Sequence, residues 1–204
     1  GYDLKSDLAA DRPYYTAEIP GGAGSWARHV TQGYLSIWDL AKPVIAQVHG
    51  YAMAGATELA AACDLVYIAS DATISHPVVR VAGTPDFGFH PWLVGMRNAM
   101  EMVLTGDPVS GEEAVRMGYA NRAFPAEELE ERVLAIASRI ASVPVQLSML
   151  NKRWVHSAME VMGARAAIRA VPDLQATLGH LDLFSGGSLT DAVKAEARNQ
   201  PKPD

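Results

Sequence analysis

The sequence predicts an α/β core followed by a helical C-terminal region. Three observations carry this expectation. Short, apolar, β-branched runs stand at 44–48 (VIAQV) and 65–69 (LVYIA), with 73–75 (TIS) a third candidate, and helical segments lie between and after them. A glycine-containing turn joins the first strand to a run of small residues. From about residue 92 onward, apolar residues recur at helical rather than alternating spacing.

In chain order, PGGAGS at 20–25 reads as a loop. A helix is expected over 29–40, with Val30, Tyr34, Ile37 and Trp38 near helical spacing, broken by Lys42-Pro43. The 44–48 strand leads into a turn over 50–55 and a short helix over 56–63. After the 65–69 and 73–75 strands comes a helix over 92–104, with Leu93, Met96, Met100 and Val103 on one face. Ser110 and Glu113 have the spacing of a capping box, so a helix starts there, runs to about Met117 and stops at Gly118. Leu129, Val133, Ile136 and Ile140 form a stripe over 127–140. After Pro144 the chain reads as helical to about residue 179, with a break expected before Pro172. Three regions follow: a core over 1–140, a helical region over 141–195, and a polar, proline-containing tail over 196–204 expected to be disordered.

Composition narrows the function classes. The chain has 204 residues, is 49% hydrophobic and carries a net charge of −6, with its basic residues scattered, so no nucleic-acid footprint is visible. A single cysteine, Cys63, excludes a disulfide framework and makes a reducing, cytoplasmic setting the expectation. The most apolar run, 44–69, is interrupted by His49, Thr57, Glu58 and Asp64 and is not expected to span a membrane. No histidine pair has a zinc-site spacing, so no metal is expected.

The stretch HGYAMAGATELAAACD (49–64) crowds small residues around one carboxylate, Glu58. A strand there runs into a turn that opens a helix near Gly55, where the first amides have no internal partner and the dipole favours negative charge. Glycine lets a ligand approach that backbone closely. Glu58 lies three residues on, one turn away. An amide that holds a developing oxyanion beside a carboxylate that moves a proton suits chemistry next to a carbonyl. The competing reading is that Glu58 caps the preceding turn and the small residues merely pack tightly.

The segment IAQVHGYAMAGATELAAACDLVYIA resembles the signature of the enoyl-CoA hydratase/isomerase (crotonase) superfamily. The resemblance extends downstream through AMEMVLTGDPVSGEEAVRMGYANRAFP and back to GYDLK at the first residues. It implies a spiral of ββα units followed by helices. It also implies that about 60–70 N-terminal residues of a family member are missing ahead of this segment. By position it implies two oxyanion donors, the amides of Tyr2 and Gly55, and makes Glu58 the first catalytic glutamate. The substrate it implies is an acyl-CoA thioester, with no separate cofactor because coenzyme A belongs to the substrate. Ala54, His76, Val78 and Trp92 would line the substrate site, and the assembly would be a homotrimer or hexamer acting in fatty acid metabolism.

The sequence departs from that pattern where hydratases carry a second glutamate in a Q-P-E-like triplet. Here the triplet is His76-Pro77-Val78, and valine cannot move a proton. One carboxylate and an oxyanion hole suffice for a proton shift. Asp86, in GTPDFGFHP, is the candidate substitute, although an aspartate after Pro85 also suits plain turn chemistry. His76 and His90 have suitable chemistry but sit beside prolines, where histidine is more often structural. Cys63 reads as a packed small residue, and Asp64 resembles the family's structural aspartate. Lys152-Arg153 reads as a surface charge pair, with contact to a CoA phosphate the alternative. The expected function is acyl-CoA processing through a stabilised thioester enolate, in the hydratase/isomerase class. A CoA-thioester or C–C bond hydrolase, or a non-catalytic acyl-CoA-binding protein, are the alternatives.

Overall fold

The first two strands turn a corner together. β1 (Ile45–Val48) and β2 (Tyr51–Met53) are separated only by His49 and Gly50, whose φ of 60° suits glycine, and the chain changes sheet there. β3 (Leu65–Ala69) and β4 (Thr73–Ser75) repeat the move one layer on. In this computed structural model, which describes residues 25–80 and 83–176, β1 pairs parallel with β3 (Ile45 opposite Leu65) and β2 pairs parallel with β4 (Tyr51 opposite Thr73). Stacking each corner on the next, like strand on like strand, generates a spiral of ββα units. Its two three-stranded sheets have the orders β1-β3-β6 and β2-β4-β5. β5 (Val109–Ser110) is antiparallel to β4, and β6 (Arg122–Phe124) is parallel to β3.

Helices close the sheets. α1 (Ser25–Trp38) and α2 (Gly55–Ala61) flank the first corner. A 3-10 turn (Pro77–Arg80) and a loop lead to α3 (His90–Thr105), and α4 (Gly111–Met117) follows β5. The capping box is present: the Ser110 hydroxyl accepts from the Glu113 amide at 3.3 Å, the Glu113 carboxylate accepts from the Ser110 amide at 3.1 Å, and Gly118 ends the helix at φ 90°. Gly111 is required by contact, because a Cβ there would sit 2.0 Å from the Ala69 carbonyl oxygen. α5 (Leu129–Ala141) buries Leu129, Val133 and Ile136 and meets α6 (Val145–Val161) at 104°. α7 (Ala164–Ala176) returns to α1, where Arg28 pairs with Asp173 at 3.0 Å. The largest fully buried apolar side chains include Leu35, Ile68, Ile74, Phe87, Leu129 and Ile168. No single helix among the described residues is long and apolar enough to cross a membrane.

Four expectations are corrected. The 50–55 turn contains β2, a strand too short for its alternation to register. β5 and β6, of two and three residues, are strands only because β4 and β3 offer them partners. In α3, Gly95 takes φ 74°, ψ 164°, so the helix kinks and its stripe changes phase: Met96 and Met100 are 69% and 51% exposed, whereas Val94, Ala99 and Met102 are buried. The late helical region breaks at Gly163 (φ 92°), not before Pro172, which is buried inside α7. The Tyr2 segment, the 20–24 part of the first loop and the 196–204 tail lie outside the described residues.

Candidate active site

β2 delivers the chain into α2 through Ala54, the one non-glycine with positive φ among the described residues (φ 50°, ψ −118°). That conformation costs an L-residue of order 1–3 kcal/mol and persists only where its surroundings impose it. They do so here with several hydrogen bonds. The Ala54 amide donates to the Ser75 carbonyl at 2.8 Å. The buried Thr57 hydroxyl donates to the carbonyls of Ala52 (2.7 Å) and Ser75 (3.1 Å). From α1 the Tyr34 hydroxyl reaches the Gly55 carbonyl at 3.1 Å, and just past α4 the Tyr119 hydroxyl donates to the Thr57 carbonyl. The small residues here are packed tightly: Ala60 and Ala61 of α2 and Ala62 at its end are all buried, and bulk there would push the helix off β2.

Glu58 rises from this helix into the interior and is 1% exposed. Its Oε2 accepts from the Phe87 amide at 2.9 Å, and the Asp86 amide also donates to the carboxylate. Burial pushes its pKa up to about 8, and the Asp86 carboxylate pushes in the same direction against the two amides. Glu58 is therefore mostly protonated at neutral pH. Asp86 itself is held in place through its backbone, whose carbonyl accepts from the buried Thr31 hydroxyl of α1 at 2.8 Å. The capping reading of Glu58 fails on geometry, since its carboxylate engages amides 28 and 29 residues further along the chain.

Two histidines complete the cluster. His76 Nε2 lies 3.5 Å from Glu58 Oε1, and the His76 and His90 rings face each other edge-on at 6.3 Å between centroids. Both are buried, at 3% and 1% exposure. Burial lowers the pKa of His76 to about 3, with His90 contributing, and burial alone lowers that of His90 to about 4. Both rings are neutral at physiological pH. Val78 is half-buried on the 3-10 turn, two residues past His76, and brings no titratable group. Among the described residues no group of three or more His, Cys, Asp or Glu side chains could hold a metal ion.

Trp92 stands elsewhere. It lines a hollow of about 620 Å³ between α3 and α6, with Trp38, Cys63, Asp64, Lys152 and His156, and Glu58 is not among the lining residues. The Cys63 thiol is half-buried and its pKa is raised by burial and by Asp64. Lys152 is not a surface charge: Nζ donates to Asp64 Oδ2 at 2.8 Å and to the Lys42 carbonyl at 3.1 Å, and its side chain is 7% exposed. Arg153, its neighbour, does face solvent, 3.5 Å from Glu160. Sequence reading missed Thr31, Tyr34 and Tyr119, each an ordinary helix or turn residue whose partner lies 21 to 62 positions away.

The enoyl-CoA hydratase/isomerase family profile matches residues 14–183, most of the chain. The chain belongs to the enoyl-CoA hydratase/isomerase family. It is similar to the mitochondrial enoyl-CoA hydratase of Pongo abelii, with 37% identity over 135 residues that cover 63% of this chain and 47% of the relative. It is also similar to the carnitinyl-CoA dehydratase of Salmonella typhimurium strain LT2, with 35% identity over 156 residues, 74% of this chain and 56% of the relative. Among solved structures, an enoyl-CoA hydratase/isomerase from Xanthobacter autotrophicus Py2 superposes with a TM-score of 0.80 at 28% identity, covering 98% of this chain and 71% of that one. The crotonase fold expected from the motifs is thus the fold observed. The chain spans about half the length of the curated relatives it matches.

Proposed function

We propose that the protein processes acyl-CoA thioesters by stabilising an enolate, with Glu58 moving the proton and the Gly55 amide, joined by that of Tyr2, receiving the thioester oxygen. The observation that supports this most is a fully buried carboxyl, protonated at neutral pH, one helical turn from the first amide of α2. A group poised near the working pH can both give and take a proton. Loss of one oxyanion donor in an enzyme costs about 2.7–4 kcal/mol of transition-state stabilisation.

Asp86 supports hydration as the specific reaction, despite Val78. Its charge is felt by Glu58, so the two carboxyls form a neighbouring pair that favours holding one proton between them. In the hydration direction Asp86 takes a proton from water as the oxygen bonds to the β-carbon. The π electrons move onto the thioester oxygen, and Glu58 gives its proton to the α-carbon as the enolate collapses. A proton then passes from Asp86 back to Glu58. A double-bond shift needs Glu58 alone.

The test is a panel of enoyl-CoA thioesters, followed by double-bond absorbance and free thiol release. Glu58→Gln should bind thioester and lose turnover of every kind. Asp86→Asn should lose hydration and keep any double-bond shift. Thiol release without loss of the double bond would instead identify a hydrolase. We further infer self-association, as a trimer or hexamer, through α6, which leaves Leu147, Leu150, Trp154, Val155 and Val161 between 48% and 89% exposed. Sedimentation equilibrium of the wild type and of Trp154→Glu checks it, the variant shifting toward monomer.

A further inference from the structure

Behind Glu58 lies a group of polar atoms that the proposed chemistry leaves unused. His76 Nδ1 and both ring nitrogens of His90 are buried and have no hydrogen-bond partner among the described residues. A buried donor or acceptor without a partner costs about 1–3 kcal/mol, and three occur side by side. The rings are too far apart for a direct bond, and 6.3 Å between centroids, edge-on, is a span one bridging water can close with two hydrogen bonds of ordinary length. A neutral imidazole has one donor and one acceptor, which matches a water's needs on both sides.

The tautomer of His76 follows from its other contacts. His76 Nε2 lies 3.5 Å from Glu58 Oε1, whereas Nδ1 is buried with no hydrogen-bond partner among the described residues. A water that donates to Nδ1 leaves the ring's single proton on Nε2. That N–H lies on the side of Glu58 Oε1, and Nδ1, a bare acceptor, needs a donor.

We propose that His76 and His90 hold a buried water between their rings, and that through it His90 is a positioning residue. It fixes His76 as the Nε2–H tautomer, whose N–H is aimed at Glu58 Oε1. This deepens the acid–base role proposed for Glu58 and rests on it. The N–H gives nothing to the protonated carboxyl but tightens onto the carboxylate once Glu58 has released its proton. The other groups that face Glu58 do not do this. Asp86, on the loop before α3, opposes ionisation by its charge. Tyr34 on α1 has its hydroxyl engaged with the Gly55 carbonyl, and Tyr119 beyond α4 with the Thr57 carbonyl.

The test needs no substrate, so its failure is separable from failure of the enzymatic reading. The titration of the Glu58 carboxyl is followed by 13C NMR in the wild type, His90→Phe and His90→Gln. Phenylalanine fills the ring's space without a polar atom and should raise the Glu58 midpoint by about one unit, a tenfold change in its ionisation constant. Glutamine, which keeps a donor and an acceptor, should leave it near the wild-type value. An unmoved midpoint in a folded His90→Phe protein overturns the proposal. Should that variant not fold, 15N NMR of the wild-type imidazoles decides. His76 protonated at Nε2, with Nδ1 at the shift of a hydrogen-bonded acceptor, supports the proposal, and a proton on Nδ1 or a free Nδ1 overturns it.

Discussion

Two carboxylates, one within α2 and one just beyond its end, stand six positions apart, and their surroundings drive them in opposite directions. Glu58 is sealed among apolar residues, beside another carboxylate and two neutral histidines, and its pKa is raised to about 8. Asp64 is also taken largely out of water, and burial pushes its pKa up. Yet His156 and Lys152 on α6 and the Val44 amide (2.6 Å) together hold it below the usual carboxylate value. Lys152 Nζ lies at 2.8 Å and His156 Nε2 at 2.9 Å, the latter as a close contact out of line for an aligned hydrogen bond, and the His156 ring stacks on Trp38 at 3.7 Å. Burial alone does not make a carboxylate reactive. A carboxylate with a lysine ammonium at hydrogen-bond distance is an anchor, here tying α6 to the β1–β3 edge. One met by amides, neutral rings and a second carboxylate, with no cation beside it, is free to exchange its proton near pH 7.

The most direct break in this contrast is Glu58→Gln, which keeps the shape and can still accept from the Phe87 amide. Turnover of enoyl-CoA should fall by about 10²–10⁴-fold with thioester binding little changed, measured by steady-state kinetics and calorimetry. Asp64→Ala should do the reverse. It strands Lys152, with its nearly buried side chain, and should cost about 3 kcal/mol of stability in denaturant melts while the folded fraction keeps its rate constant.

The pH dependence of stability should separate the two carboxylates. Glu58 holds a proton in the folded state between its ordinary value of 4.5 and about 8, where the unfolded chain does not, so its contribution is full at low pH and is lost as pH rises through 8. His76 and His90 act oppositely. Their stability is present above 6.5 and is lost as pH falls toward 4 and 3. From these three groups stability should peak near pH 6.5 and decline by up to about 1.4 kcal/mol per unit above it, and Glu58→Gln should abolish that decline. The Asp64 contribution, from a lowered pKa, should vary only below its ordinary value of 3.8. The smallest effect is expected from Ala54→Gly. Relief of the positive φ is offset by the entropy of a glycine, so stability should change by less than about 1 kcal/mol, read as a small shift in melting temperature.

How much of this was legible beforehand depends on the range of the interactions involved. The capping box, the α5 stripe, β3, β4 and the small-residue helix around Glu58 are set by neighbours within a few residues, and hydrophobic period and cap chemistry report them directly. The same is true of the family motifs, which run along contiguous segments. β2, β5 and β6 are too short to show a period and exist because a partner strand lies beside them. The phase of α3 turns on one backbone conformation at Gly95 that no pattern of side chains encodes. Lys152 looked like a surface charge because its partner, Asp64, is 88 positions away. Glu58 itself could be picked out from the sequence, as could Asp86 and the histidines as candidates. That Glu58 is protonated at neutral pH, and that Asp64 is not its equal, could be decided only by the tertiary structure. A pKa is fixed by the water a fold excludes and the charges it brings close, and here those arrive from α1, α3 and α6, segments far from α2 in the chain.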